Sequence, residues 1–187
     1  NAIIGHMQHH LRDPNRDQLH GRIYRVTYPS RPLLTPKKID GEPIAKLLDL
    51  LKEPEDNVRT RAKIELDKHD SKKVIAAAQK WSKQFDPKKA EDAHPLLEAL
   101  WLHQWHNVVN ESLLRQLLAS PEPRARAQAV RVLCYWRDRV SRWLEALKIA
   151  ANDSSPRVRL EAVRAASFFD GNDAMEAAYQ ITKYPTD

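Results

Sequence analysis

From residue 44 onward, apolar residues recur at three- and four-residue spacings, the period of one helical face. Ile44-Leu47-Leu48-Leu51, Val74-Ala77-Ala78-Trp81, Leu113-Leu114-Leu117-Leu118 and Trp143-Leu144-Leu147-Ala151 each predict an amphipathic helix. A second pattern alternates with the first. Asp56-Asn57-Val58-Arg59 is followed by Ala62 and Leu66, Pro123-Arg124-Ala125-Arg126 by Ala129 and Leu133, and Ser155-Pro156-Arg157-Val158-Arg159 by Ala162 and Ala166. Each reads as a helix start, an arginine, an alanine three residues on and an apolar residue four beyond that. Arg126 and Arg159 are 33 residues apart, and Arg59 and Arg126 are 67 apart, close to twice that interval. A repeat of this length is one helical hairpin, which buries its apolar face only by stacking on its neighbours. The skipped repeat is expected midway, at Pro95–Trp101, with Ala99 in the alanine position and His94 or Pro95 in place of the arginine. Gly171 is expected to end a helix and Asn172-Asp173 to cap another through Ala177, Ala178 and Ile181. That last helix has no partner here, so the stack is expected to continue past Asp187.

This pattern resembles the HEAT repeat over residues 43–183. The small alanine lets the two helices of a pair approach closely, and proline in the first turn fixes the entry into the second helix. The resemblance implies that Arg59, Arg126 and Arg159 each pair with an acidic residue of a neighbouring repeat, forming a ladder. On that reading Arg59, Ala62, Ala99, Arg126, Ala129, Arg159 and Ala162 are structural positions.

Residues 1–36 follow a different pattern. Gly21-Arg22-Ile23-Tyr24-Arg25-Val26-Thr27-Tyr28 alternates in strand-favouring residues, and Pro29, Pro32 and Pro36 read as an extended connector. A single strand is not stable alone, so this one needs a lost sheet or the first helices to pack on. Gly5-His6-Met7-Gln8-His9-His10-Leu11-Arg12-Asp13-Pro14-Asn15-Arg16-Asp17, followed by His20-Gly21-Arg22-Ile23-Tyr24-Arg25-Val26-Thr27-Tyr28, resembles the end of the β-propeller in large membrane-bound dehydrogenases of planctomycete-type bacteria. The strand itself is similar to those of sugar and sorbosone dehydrogenases. The run Glu98–Asn107, with Trp101, His103, Trp105 and His106, resembles the helical region of the same family. The resemblance implies an exported, periplasmic parent running from propeller to HEAT repeats to a cytochrome c module. It also implies that the parent's quinone cofactor and haem c lie outside this segment, and it carries no catalytic residue onto this chain.

Composition narrows the picture further. Only 4 of 187 residues are glycine, against a glycine-loop or β-rich architecture, and the 12 prolines fall mostly at joints between apolar stretches. The single cysteine, Cys134, excludes an internal disulfide, a Cys-x-x-Cys-His haem attachment and a multi-thiolate zinc site in this chain. No apolar run approaches the roughly 18 residues needed to span a bilayer. The chain opens at Asn1 without a methionine and reads as an excised piece of a longer protein, with Asn1-Ala2 either native or added. Its formal charge of +6, from 31 basic and 25 acidic residues, raises the prior for polyanions. Arg124, Arg126, Arg131, Arg137, Arg139, Arg142, Arg157, Arg159 and Arg164 crowd the last two repeats beside Trp136 and Trp143. That density sustains an alternative, a basic solenoid gripping nucleic acid as DNA-glycosylase-like HEAT proteins do. Glu145, Glu161 and Asp138 interrupt it, and the charges would have to converge on one surface.

Candidate chemistry is sparse. His6, His9, His10 and His20 are candidate metal ligands, although H-x-x-H alone carries little information and a hydrogen-bonded loop explains them as well. Trp101, His103, Trp105 and His106 form a candidate docking ridge; the simpler reading buries Leu97, Leu100, Trp101 and Trp105 in one stripe with the histidines at its border. Cys134 reads as a small buried hydrophobe. Glu91, Asp92 and Asp153 read as helix-start carboxylates rather than as an acid–base pair. The sequence therefore predicts an all-α, HEAT-like α-solenoid of about four helix pairs behind a strand-bearing tail. Its expected function is a non-catalytic scaffold whose partners are the propeller and cytochrome c modules.

Overall fold

A computed structural model describes residues 19, 21 and 23–185. The chain divides into two units, Asn1–Pro36 and Lys37–Asp187. In the first unit, a turn closes where Arg31 N–H donates to the Tyr28 carbonyl at 3.0 Å. The expected strand is not seen there: residues 21 and 23–28 carry no ladder, and Ile23, Tyr24, Val26 and Tyr28 are exposed. Strand-favouring side chains leave backbone N–H and C=O groups pointing sideways, and only a neighbouring strand satisfies them. Among the described residues of this unit there is none.

The second unit is helical throughout its described residues. Four hairpins follow one another: α1 (Ile44–Leu50) with α2 (Asp56–Asp67), α3 (Ser71–Ser82) with α4 (Ala93–Trp105), α5 (Glu111–Leu118) with α6 (Pro123–Trp136), and α7 (Trp143–Ala151) with α8 (Pro156–Ala166). Then comes α9 (Asn172–Tyr179), extended by a 3-10 turn over Gln180–Lys183. The two helices of each hairpin pack on one another, and α4, α6 and α8 pack in succession. Short loops make the α1–α2, α5–α6 and α7–α8 pairs antiparallel, while a longer loop joins α3 to α4.

Local chemistry sets the boundaries. The Asp70 carboxylate accepts from Lys73 N–H at the start of α3, and the Asn110 side chain accepts from Leu113 N–H at the start of α5. Pro123 and Pro156 open α6 and α8, where the missing N–H costs nothing. Gly171 precedes α9 as its N-cap, at φ 97°, a conformation that favours glycine. Asn172 is therefore the first helical residue rather than the cap.

The core is built from the predicted stripes. Leu47, Leu48, Leu51, Val74, Ala78, Trp81, Leu113, Leu114 and Leu117 are buried, and so are Ala62, Ala99, Ala129 and Ala162 at the alanine positions of the repeat. One cluster runs from Ile39 through α6 to Ala146; a second joins Ala127, Val130 and Cys134 of α6 to residues of α7, α8 and α9.

Candidate functional site

The second helix of a hairpin begins just after a tight loop, whose carbonyls have no helical partner. In three hairpins the repeat arginine meets this need in the same way. Arg59 Nη1 donates to the Glu53 and Pro54 carbonyls, both at 2.7 Å. Arg126 Nη1 donates to those of Ser120 at 2.8 Å and Pro121 at 3.4 Å. Arg159 Nη1 reaches Asp153 at 2.9 Å and Ser154 at 3.0 Å. One guanidinium thus clasps its own loop five and six residues back, which explains the fixed spacing.

The rest of each guanidinium faces a neighbouring hairpin. Arg126 makes a two-pronged pair with Asp153, Nε to Oδ2 at 2.7 Å and Nη2 to Oδ1 at 2.8 Å. Asp153 also accepts from Ser155 N–H at 2.8 Å. Burial pushes its pKa up, but Arg126 and the Ser155 N–H outweigh burial and hold it below the usual value.

Arg59 crosses to α4 instead. Its Nε lies 3.2 Å from Glu98 Oε1, without the alignment of a hydrogen bond. Lys63 Nζ donates to Glu98 Oε2 at 2.9 Å, and His94 Nε2 lies 3.4 Å from Oε1. Glu98 is only 1% exposed. Burial alone would raise its pKa; His94 and Lys63 reverse the direction and keep it ionised. Trp101 packs beside this cluster, its ring centroid 5.3 Å from Lys63 Nζ. Arg159 has no carboxylate partner among the described residues; the Tyr184 ring lies 4.0 Å from its guanidinium carbon.

The Trp–His ridge expected on α4 does not form. His103 is fully buried, its Nδ1 donating to the Ala99 carbonyl at 2.9 Å and its Nε2 facing Asn110 Nδ2 at 3.1 Å. Residues two apart on a helix lie about 200° apart, so His103 points away from the face shared by Trp101 and Trp105. Burial holds the His103 pKa below its ordinary value. His106 turns its Nδ1 to Ser71 Oγ at 3.0 Å. The expected apolar stripe also needs correction, because Trp105 is half exposed while Leu97, Leu100 and Trp101 pack inward. Asp92 does not cap α4; its carboxylate accepts from Asp86 N–H at 2.9 Å.

Cys134 is buried, and burial pushes its thiol pKa up, away from nucleophilic use. His6, His9, His10 and His20 lie outside the described residues. Among the described residues no group of three or more His, Cys, Asp or Glu side chains could hold a metal. No helix there is long and apolar enough to cross a membrane.

Most arginines of the last two repeats have local partners. Arg124 meets Glu122, Arg142 meets Glu145 and Arg164 meets Glu161, while Arg137 and Arg139 reach the Cys134 and Asn107 carbonyls. Trp136 is buried and Trp143 stacks on Phe169 at 4.0 Å, so neither offers a face to a base.

Sequence reasoning missed one feature. The second helices α6 and α8 pack extensively, whereas α5 and α7 barely touch, and a groove of roughly 240 Å³ opens between them. Its floor is Leu118, Val130, Ala146 and Val158, with Arg115 and Arg142 on the rim. The one available signal was length: α5 and α7 have 8 and 9 residues against 14 and 11 in α6 and α8.

A family model for HEAT repeats matches residues 110–187, which covers α5 to α9. No curated protein and no solved structure matches the chain. The helical-repeat architecture and the interaction role that such repeats commonly serve therefore rest on that match and on the stacked hairpins.

Proposed function

We propose that this chain is the non-catalytic HEAT-repeat scaffold of a larger exported dehydrogenase, holding a propeller module and a cytochrome c module within reach of each other. The quinone cofactor and haem c belong to those modules and not to this segment. One observation carries the scaffold part: the ionic groups of the repeats, half-buried Arg59, Arg126 and Asp153 and buried Glu98, are used to join one hairpin to the next. The likeness of residues 5–28 to a propeller end supports the parentage and the periplasmic setting. Arginine density motivates a nucleic-acid reading, and the pairing of most of those arginines weighs against it.

Two measurements test this. The parent reading frame should carry propeller repeats before Asn1 and a Cys-x-x-Cys-His beyond Asp187; a frame with neither overturns the parentage. The purified chain should associate with that cytochrome module at low and moderate salt. No association, or an electrophoretic shift with duplex DNA that strengthens as salt falls, overturns the scaffold role.

A further inference from the structure

Counting from the repeat alanine sets the second helices in register with one another. Six residues after Ala99, Ala129 and Ala162 stand Trp105, Tyr135 and Phe168, an aromatic residue in each of three successive hairpins. In the first hairpin the same position is Lys68, so the row begins at α4. The three side chains are 50%, 58% and 53% exposed. Trp105 and Tyr135 belong to hairpins flanked on both sides by others, so their exposure does not depend on where the chain stops. Tyr135, with α7 and α8 after it, shows how open a following hairpin leaves this position. One helical turn before the rings, on the same face, stand Trp101, Arg131 and Arg164. Among the described residues none of the three rings stacks on another, the Trp105 Nε1–H and Tyr135 O–H have no acceptor, and Arg131 has no carboxylate partner.

We propose that this row of rings is a docking surface for a proline-rich extended segment of a partner module, with a proline at every third position and an acidic residue beside Arg131. Resting on the scaffold reading, this names the kind of segment by which a module is held. Two features select the occupant. The first is spacing. Helices α4, α6 and α8 pack in succession, and packed helices lie about 8–10 Å apart. A polyproline II segment advances about 9 Å per three-residue turn, so prolines three apart meet successive rings. The second is hydrogen bonding. Proline has a carbonyl but no N–H, so such a segment offers acceptors and few donors. The face offers the reverse: an indole N–H, a phenol O–H and a guanidinium beside exposed rings, the combination by which aromatic grooves hold proline-rich chains.

Other occupants fit less well. Single-stranded nucleic acid would stack bases on the rings, but it needs a track of free cations for its phosphates. Arg164 is already paired with Glu161 at 3.1 Å, which leaves Arg131 alone beside the row. The Pro29–Pro36 stretch of a second copy has prolines three apart at 29 and 32, yet Arg31 between them would face Arg131. Arg31 N–H also closes a turn there onto the Tyr28 carbonyl, which bends the chain away from an extended course.

The probe is a dodecapeptide of four Pro-Pro-Glu units, with a Gly-Ser-Glu peptide of equal length and charge as control. Added to the whole chain, the first should shift the Trp105 indole N–H resonance saturably and the second should not. Trp105→Ala and Tyr135→Ala should each weaken binding about tenfold or more. Tyr135→Phe keeps the ring and loses the donor, and should weaken it about two- to tenfold. Arg131→Gln should weaken it about two- to fivefold. The side chains are half exposed, so the variants should melt with the wild-type chain; if an alanine variant melts early, Tyr135→Phe decides. Absence of a saturable shift, or equal binding of the control, overturns the proposal. Displacement of the peptide by oligothymidine, stronger as salt falls, makes the occupant a nucleic acid and overturns it. Self-association that Trp105→Ala abolishes makes the occupant a second copy and overturns it too. Association with the cytochrome module that survives both alanine substitutions overturns this assignment while leaving the scaffold reading standing.

Discussion

Two rungs join the hairpins, and they are built differently. At the α6–α8 level Arg126 meets an aspartate in the next loop, in a two-pronged pair at 2.7 and 2.8 Å. At the α2–α4 level Arg59 and Lys63 converge on Glu98, a carboxylate rooted in the middle of a helix and sealed from solvent. The clasp on the arginine's own loop is the same in both. What varies is the acid across the interface. Where α4 lacks a repeat arginine and the α3–α4 loop is long, a helix-borne glutamate replaces the loop aspartate. The intra-hairpin clasp therefore defines the repeat, and the cross-hairpin charge is interchangeable in position.

The sharpest way to break the comparison is Glu98→Ala. Removing one partner of a buried ion pair leaves uncompensated charge, at a cost of about 3–5 kcal/mol. Arg59 and Lys63 are each largely buried against it, and His94 loses its partner as well. Urea denaturation should show a midpoint shift of that size with unchanged slope. A loss below about 1 kcal/mol would mean that both cations swing into solvent, and the buried rung would not be a strong joint.

That rung also marks where the sequence stops being legible. The helices, their pairing and the alanine contacts follow from spacing, because a helical face repeats and only a small residue fits a close crossing. The Arg59, Arg126 and Arg159 positions were readable for the same reason. Glu98 was not singled out by chemistry: it sits inside a run of apolar residues, and only tertiary packing brings α2 against it. His103 was misplaced because proximity in sequence to two tryptophans suggested a shared face, which helical geometry denies. The strand expected at residues 21–28 is not confirmed among the described residues, in keeping with its need for a sheet that this chain does not show.

The Arg126–Asp153 rung should give less. Asp153→Asn keeps the shape and the Ser155 contact but removes the charge, and should cost about 1–3 kcal/mol. Arg126→Ala should cost at least as much, because the loop carbonyls of Ser120 and Pro121 lose their donor too. A double-mutant cycle isolates the pair, with an expected coupling of about 0.5–3 kcal/mol. Additive single effects would show that the loop clasp alone stabilises this level. Ala129→Leu tests the packing at the same level: its fully buried methyl has no room to grow, so overpacking should cost about 1–3 kcal/mol by thermal melting.

Acid should separate the groups by direction. Glu98 and Asp153 have folded-state pKa values below their ordinary 4.5 and 3.8, so their contribution is present above those values and is lost as pH falls through the folded ones. Glu111 behaves likewise: hydrogen bonds from Ser141 and Arg115 lower it to about 2. His103 acts earlier. Its folded pKa lies below 6.5, so the unfolded chain takes up the proton first and stability falls as pH drops through 6.5. Melting temperature should decline between about pH 7.5 and 5.5, before any carboxylate titrates. An NMR titration in which His103 protonates at or above 6.5 would sink this account.

The smallest effect tests whether distance or burial decides the worth of an ion pair. Arg142 and Glu145 form an exposed pair at 2.6 Å, nearer than Arg59 to Glu98, yet their side chains are 72% and 51% exposed. Solvent and side-chain entropy leave such pairs about 0–0.5 kcal/mol. Arg142 also carries a cost of its own, because its backbone is left-handed at φ 51° and ψ 36°, where a side chain crowds the following carbonyl. Arg142→Ala removes the pair and keeps the crowding, so it should lose no more than about 0.5 kcal/mol. Arg142→Gly removes both, and relief of the backbone should outweigh the lost pair, raising stability by about 0.5–1 kcal/mol. If glycine instead destabilises more than alanine does, the exposed pair and the local backbone are coupled, and short distance counts for more at the surface than the buried rungs imply.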